Sequence, residues 1–245
     1  VPARTKVIGE MDRHSAMTLL HEEAIYLHQG IQYQVEKLDW EEKKAFVREV
    51  DVDYYTDANL AVEMKVLEED RSRIYQGGTI SFGDVGLIAQ ATIFKKISLN
   101  DKQDNIGSGP IHLPPDEMHT SSSWLSFSNT LQWSEAELTE AMTGAAYAMN
   151  AFIPLFIQCD ASDVAVVPQV KATHNNLPTF FVYDKYPGGI GLSEKVYDLW
   201  EDLLTKTMNH VVNCPCESGC PSCIGPQNTL VNMKRKVKEL LQILY

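Results

Sequence analysis

Residues 213–226 read NCPCESGCPSCIGP, and four of the chain's five cysteines, Cys214, Cys216, Cys220 and Cys223, fall inside this stretch. The spacing C-x-C-x3-C-x2-C is too tight for several strain-free disulfides among its own members, because bridged Cα atoms sit roughly 5.5–6 Å apart with suitable Cβ directions. Four thiolates around one ion suit it better. Structural zinc is tetrahedral with Zn–S of about 2.3 Å, and Gly219, Pro215 and Pro221 let the backbone wrap tightly enough for four sulfurs to converge. Iron–sulfur ligation and an oxidised cysteine pair are the competing readings. The fifth cysteine, Cys159, stands alone and reads as a buried, inert thiol.

Outward from this stretch the pattern is helical on both sides. Before it, YPGGIGLSEKVYDLWEDLLTKTMNHVV predicts a long amphipathic helix with Leu192, Val196, Leu199, Leu203 and Val211 on one side. After it, Leu230, Met233, Val237, Leu240, Leu241 and Leu244 predict a final helix, so a metal here would clamp two helix ends together. Further back, Ser134 with Glu137 forms a capping box, and Leu138, Ala141, Met142, Ala145, Met149, Phe152, Ile153 and Phe156 continue at helical spacings, with Pro154 as a kink or break. Thr179 to Tyr183 reads as a strand.

The first half is strand-rich. Ile25, Leu27, Ile31, Tyr33 and Val35 alternate around the turn His28-Gln29-Gly30, a hairpin signal. Val50, Val52 and Tyr54 alternate, as do Ile80 and Phe82 after Gln76-Gly77-Gly78, and Leu87, Ala89, Ala91 and Ile93 after Gly86. Asp101 to Thr120, rich in Gly, Pro and charge, reads as a loop leading into Trp124–Trp133. The expected class is therefore α+β: a β-rich sheet or partly closed barrel over residues 1–133, then a mainly helical zinc-binding subdomain over 134–245.

The 245 residues are 44% hydrophobic and 22% charged, enough for a sizeable core. The net charge of −12 argues against a surface that coats nucleic acid non-specifically, since counterion release needs many cations facing phosphates. That charge is unevenly spread. Residues 205–245 carry Lys206, Lys234, Arg235, Lys236 and Lys238 against Glu217 and Glu239, a net of +3, leaving −15 for residues 1–204. The Lys234-Arg235-Lys236 cluster is a candidate phosphate contact, with a solvated helix face as the alternative. No apolar run approaches the ~20 residues that span a bilayer, and the opening VPARTKVIGEMDRH holds no secretory core. A start at Val1 suggests a processed chain or a domain of a longer protein.

Other motifs carry less. Pro115–His119, PDEMH, imitates a helicase DExH box, but it sits in a polar context and no G-x-x-x-x-G-K-[ST] accompanies it. Gly188, Gly189 and Gly191 in PGGIGL precede a helix start, where free amides attract anions; a tight strand-to-helix turn is the plainer explanation. His21, His28 and His174 read as structural histidines before ligands or bases. A zinc hydrolase is disfavoured, because four thiolates leave no position for water.

YLHQGIQYQVEKLD at 26–39, VDVDYYT at 50–56, YDKYPGGIGLSEKVYDL at 183–199 and CPCESGCPSCIGP at 214–226 together resemble the C-terminal region of MrfA/YprA-like superfamily 2 DNA helicases. The resemblance covers essentially the whole chain and is most specific at the cysteine run. It implies one Zn2+ on Cys214, Cys216, Cys220 and Cys223, in a domain attached after two RecA-like motor domains absent from this chain. It further implies that ATP and Mg2+ bind only those motors, that the parent is an ATP-dependent 3′–5′ DNA helicase of DNA repair, and that the location is cytoplasmic. This chain alone would then be non-catalytic, bracing the motor and helping guide single-stranded DNA or a fork. Lys234, Arg235 and Lys236 would be backbone contacts; Tyr54, Tyr55 or Trp124 could stack on exposed bases, with core packing the more ordinary role for each of them. A structural or protein-recruiting module without DNA contact is the alternative.

Overall fold

A computed structural model describes residues 6–100, 104–128, 130–226 and 232–245. The chain forms two compact units: residues 1–63 with 88–117, and residues 64–87 with 118–245.

The first unit opens with a short helix, α1 (Arg13–Leu19), capped by Asp12, whose carboxylate accepts from the Ser15 amide at 2.8 Å. A three-stranded antiparallel sheet follows, β1 (Ile25–His28), β2 (Ile31–Asp39) and β3 (Lys44–Val50), in the order β1-β2-β3. Gln29 and Gly30 lie at φ 50° and 81°. Two consecutive left-handed residues give the turn whose twist matches the flanking strands, so the HQG hairpin forms where the sequence places it. A bulge between Val35 and Lys37 shifts the β2–β3 register.

Next come β4 (Tyr54–Tyr75) and β5 (Gly78–Ser98), two strands of 22 and 21 residues joined at Gln76-Gly77, which contribute residues to both units. The interruption expected at Gly86 does not occur, and β5 runs through it and through Gly83. At Gly83 an added Cβ would lie 2.1 Å from the Glu68 carbonyl oxygen, so the missing side chain allows the close backbone approach. Val50, Val52 and Tyr54 do not share one strand: β3 ends at Val50 and β4 begins at Tyr54.

The expected loop over 101–120 is largely strand. Residues 101–103 lie outside the described residues, but β6 (Asn105–Pro110) pairs antiparallel with β5, and β7 starts at Asp116 and continues to Phe127. The glycines of β6 serve contact with β5: a Cβ on Gly109 would meet the Phe94 ring at 2.7 Å. Of the two architectures expected for the β-rich part, the open sheet forms. The order β4-β5-β7-β9-β8, with β6 beside β5, has free ends among the described residues, where β8 is Val164–Gln169 and β9 Thr179–Asp184.

The second unit holds α2 (Glu135–Ile157), α3 (Leu192–Asn213) and α4 (Met233–Leu244). Ser134 and Glu137 form the full capping box, and α2 continues through Pro154 to a left-handed cap at Gln158. In the last turn a proline loses one amide bond without ending the helix. Leu230, expected on the final helix, lies outside the described residues. Phe127, Phe180, Met149, Trp200 and Leu240 meet in one core shared by strands and all three helices. Trp200 donates its indole N–H to Ser123 Oγ at 2.7 Å, which satisfies the one polar atom this buried ring carries. No helix is long and apolar enough to cross a membrane among the described residues.

Candidate metal centre

The four clustered cysteines lie between the end of α3 and the start of α4. Cys214 is the C-cap of α3, its amide donating to the His210 carbonyl at 3.1 Å. The Cys223 and Ile224 amides both donate to the Cys220 carbonyl, at 3.0 and 3.2 Å, which folds the second pair of cysteines into a tight turn. Ile224, buried in the shared core, anchors that turn. Gly225, at φ 85°, passes against Tyr147, where a Cβ would stand 2.9 Å from the ring.

The sulfurs of Cys214 and Cys216 are 3.5 Å apart, Cys214 and Cys220 3.6 Å, Cys216 and Cys223 3.5 Å, and Cys220 and Cys223 3.6 Å. All four lie within 4.8 Å of one another, and none is disulfide-bonded. A tetrahedron with metal–sulfur bonds of about 2.3 Å has edges of about 3.8 Å, so these residues fit one tetrahedral ion. An iron–sulfur cluster spreads its cysteines over several metals and needs wider separations. A zinc ion held here supplies a rigid four-way crosslink, with its coordination shell closed to water.

Local polarity favours thiolate at one ligand and opposes it at another. The Ser222 amide pointing at Cys220, aided by the Cys214 thiol, pulls its pKa down to about 7. Burial pushes Cys223 up to about 12. Bound dication reverses the second effect, since a coordinating thiol loses its proton.

The surroundings hold residues that sequence reasoning placed elsewhere or passed over. Lys234 and Lys236 are only 7% and 9% exposed. The Lys234 ammonium donates to the carbonyls of Cys214 and Cys216, both at 2.6 Å, and its backbone amide donates to the Ser218 carbonyl at 3.0 Å. Lys236 pairs with the capping-box carboxylate of Glu137 and lies over the Trp133 ring. Of the three basic candidates, Arg235 alone points outward, its side chain 70% exposed beside Glu239. His210 Nε2 lies 2.9 Å from the Ser222 carbonyl and its ring meets Phe152 edge-on. No spacing rule links these residues to the cysteines; only the approach of α2, α3 and α4 does.

The remaining candidates take structural places. Trp124 is 1% exposed, closed to any base, whereas Tyr55 is exposed and Tyr54 half-buried beneath Lys96. His21 is buried against Phe94, which lowers its pKa, and His28 contacts Tyr26. His174 packs edge-on against Trp124 and Phe181. None of the three joins a metal-competent cluster among the described residues. Cys159 is half-buried, its thiol pushed up by burial and by Asp163 and Asp160. The PGGIGL turn already has its anion: Asp184, fully buried, accepts from the amides of Ile190, Leu192 and Ser193 at 2.7, 3.1 and 2.7 Å.

A closed four-thiolate site that ties one helix end to the next defines a structural zinc-binding domain. The MrfA zinc-binding domain family matches residues 145–224, a stretch that includes all four cysteines. It is 51% identical over 240 residues to the ATP-dependent helicase YprA of Bacillus subtilis, covering 98% of this chain and 32% of that protein. It is 23% identical to the ATP-dependent helicase HRQ1 of Saccharomyces cerevisiae, covering 98% of this chain and 24% of that one. Among solved structures, crystal structures of the helicase MrfA match with a TM-score of 0.71 at 45% identity, and, bound to DNA, 0.68 at 50% identity. These cover 98% and 99% of this chain and in each case 32% of the MrfA chain. The chain thus spans about a third of the length of the YprA and MrfA proteins it matches.

Proposed function

We propose that this segment is the non-catalytic zinc-binding accessory domain of an ATP-dependent 3′–5′ DNA helicase, of superfamily 2 and active in DNA repair in the cytoplasm or nucleoid. The observation that carries it is the 51% identity to a helicase along 98% of the chain. The zinc corner braces RecA-like motor domains in the parent, which alone bind ATP and Mg2+. The chain's own residues supply no phosphate-cradling motif, and its metal shell has no position for a reacting water.

Guidance of single-stranded DNA or a fork is the finer part of the proposal. Support comes from the positive balance of residues 205–245 and from the DNA-bound state of the similar MrfA. With the ammonium groups of Lys234 and Lys236 engaged inside, the contact falls to Arg235, aided by Lys238 one turn further along α4. Arg235→Ala in the full-length protein is expected to weaken single-stranded DNA binding and to lower the slope of log K against log salt by about 1. An unchanged affinity and slope would leave the second reading, a bracing or protein-recruiting module without DNA contact. The inward turn of two of the three candidate cations favours that one.

A further inference from the structure

We infer that Lys234 is the positioning residue of the zinc centre, an outer-sphere clamp that holds the Cys214-Pro215-Cys216 half of the site closed. Lysine is almost never buried without partners, and Lys234 is 7% exposed. Its partners are not acidic side chains but the carbonyls of two ligand residues, Cys214 and Cys216, each 2.6 Å from Nζ. Its backbone amide reaches a third loop carbonyl, Ser218, at 3.0 Å. One residue therefore binds the cysteine loop at three points, from a helix that supplies no ligand.

The placement answers two problems of the C-x-C pair. Ligands separated by a single residue leave little chain to set their directions, and the shared ammonium fixes the peptide plane that follows each ligand, Cys214–Pro215 and Cys216–Glu217, through its carbonyl. Pro215 offers no amide to help, so the constraint must come from outside the loop. The second problem is charge. Four thiolates and one Zn2+ leave a net charge of −2, and an ammonium held beside the ligand backbone offsets half of it in a partly buried place. Lys236, two residues on, is just as buried but serves the Glu137 cap instead, which makes it a matched control.

The test is zinc retention by the full-length protein, followed with a chromogenic chelator in the absence of DNA, so that it stands apart from the helicase reading. Lys234→Met keeps the apolar stem and removes the donors; it is expected to release zinc on the order of 10–100-fold faster. Lys236→Met should stay within about twofold of the parent rate. Cobalt substituted for zinc should show altered thiolate charge-transfer bands in Lys234→Met and unaltered ones in Lys236→Met, which loss of general stability would not produce. Should Lys234→Met fail to fold, amine labelling of the unaltered protein decides: Lys234 is expected to resist acylation with zinc bound and to react once zinc is stripped, while Lys238 reacts in both states. Parental zinc retention in Lys234→Met, or ready labelling of Lys234 in the zinc-loaded protein, would overturn the assignment.

Discussion

Asp184 shows how a residue's role can hide behind a familiar pattern. The glycines of PGGIGL resemble an anion site because they precede a helix start, and the structure does place an anion there, but it is the chain's own carboxylate. Three amides that would otherwise await a phosphate or water are satisfied by a fully buried side chain at the end of β9. Gly189, at φ 72°, also lets the turn press on Ser121, where a Cβ would lie 1.8 Å from Oγ. The glycine pattern was legible in the sequence; the identity of its anion was not, since that depends on where β9 ends against α3. Asp184→Asn would place an amide donor against amide donors and should cost about 2–3 kcal/mol, read as a lower urea midpoint with an unchanged slope. Added phosphate or nucleotide should not bind the unaltered turn, which isothermal titration can check.

The helices were the most legible elements, because a 3.6-residue period survives in α2, α3 and α4 regardless of partners. β6 was the least legible: in Asn105–Pro110, glycine and proline have the composition of a loop, and its strand character comes from β5 beside it and from the Phe94 ring lying over Gly109. β8 and α1 gave no readable pattern at all. Between elements, the informative contact is the pair formed by Glu137 at the start of α2 and Lys236 on α4. The Lys236 ammonium, with the Ser134 amide and hydroxyl, holds the Glu137 carboxyl down to about 2 against an ordinary value of 4.5. A folded-state pKa below the unfolded one contributes stability above pH ~4.5 that is lost as pH falls toward 2. Lys236→Met should therefore raise the Glu137 pKa toward 4.5, seen by carboxyl-carbon NMR titration, and flatten the acid limb of stability between those limits. An unmoved Glu137 pKa would show that the Ser134 cap alone sets it.

At the scale of the whole molecule, the net charge of −12 first speaks against nucleic acid, and dividing the chain reverses that for its last forty residues, which carry +3. The fold then takes much of the +3 back. Lys234 and Lys236 spend their charge on the cysteine loop and on α2, so the basic run that looks most like a phosphate contact is largely internal structure. A charge count sees residues, whereas burial decides which charges reach solvent. The four cysteines, by contrast, were fully legible, because ligand type and spacing are local properties that distant contacts only refine. The consequence for stability is concentrated in one place. Structural zinc in small modules can contribute about 10–16 kcal/mol, as large as the whole net stability of a typical domain, and here the metal loop carries Cys223 and Ile224 into the core shared by α2, α3 and α4. Metal analysis should find one zinc per chain and no iron. Stripping it should speed amide exchange through α4 and the last turns of α3, while β1–β3, whose ladder is hydrogen-bonded within its own sheet, should remain protected. Uniform exchange across both units after zinc removal, or undisturbed protection of α4, would mean that the metal is not the clamp that its position between the two helix ends requires.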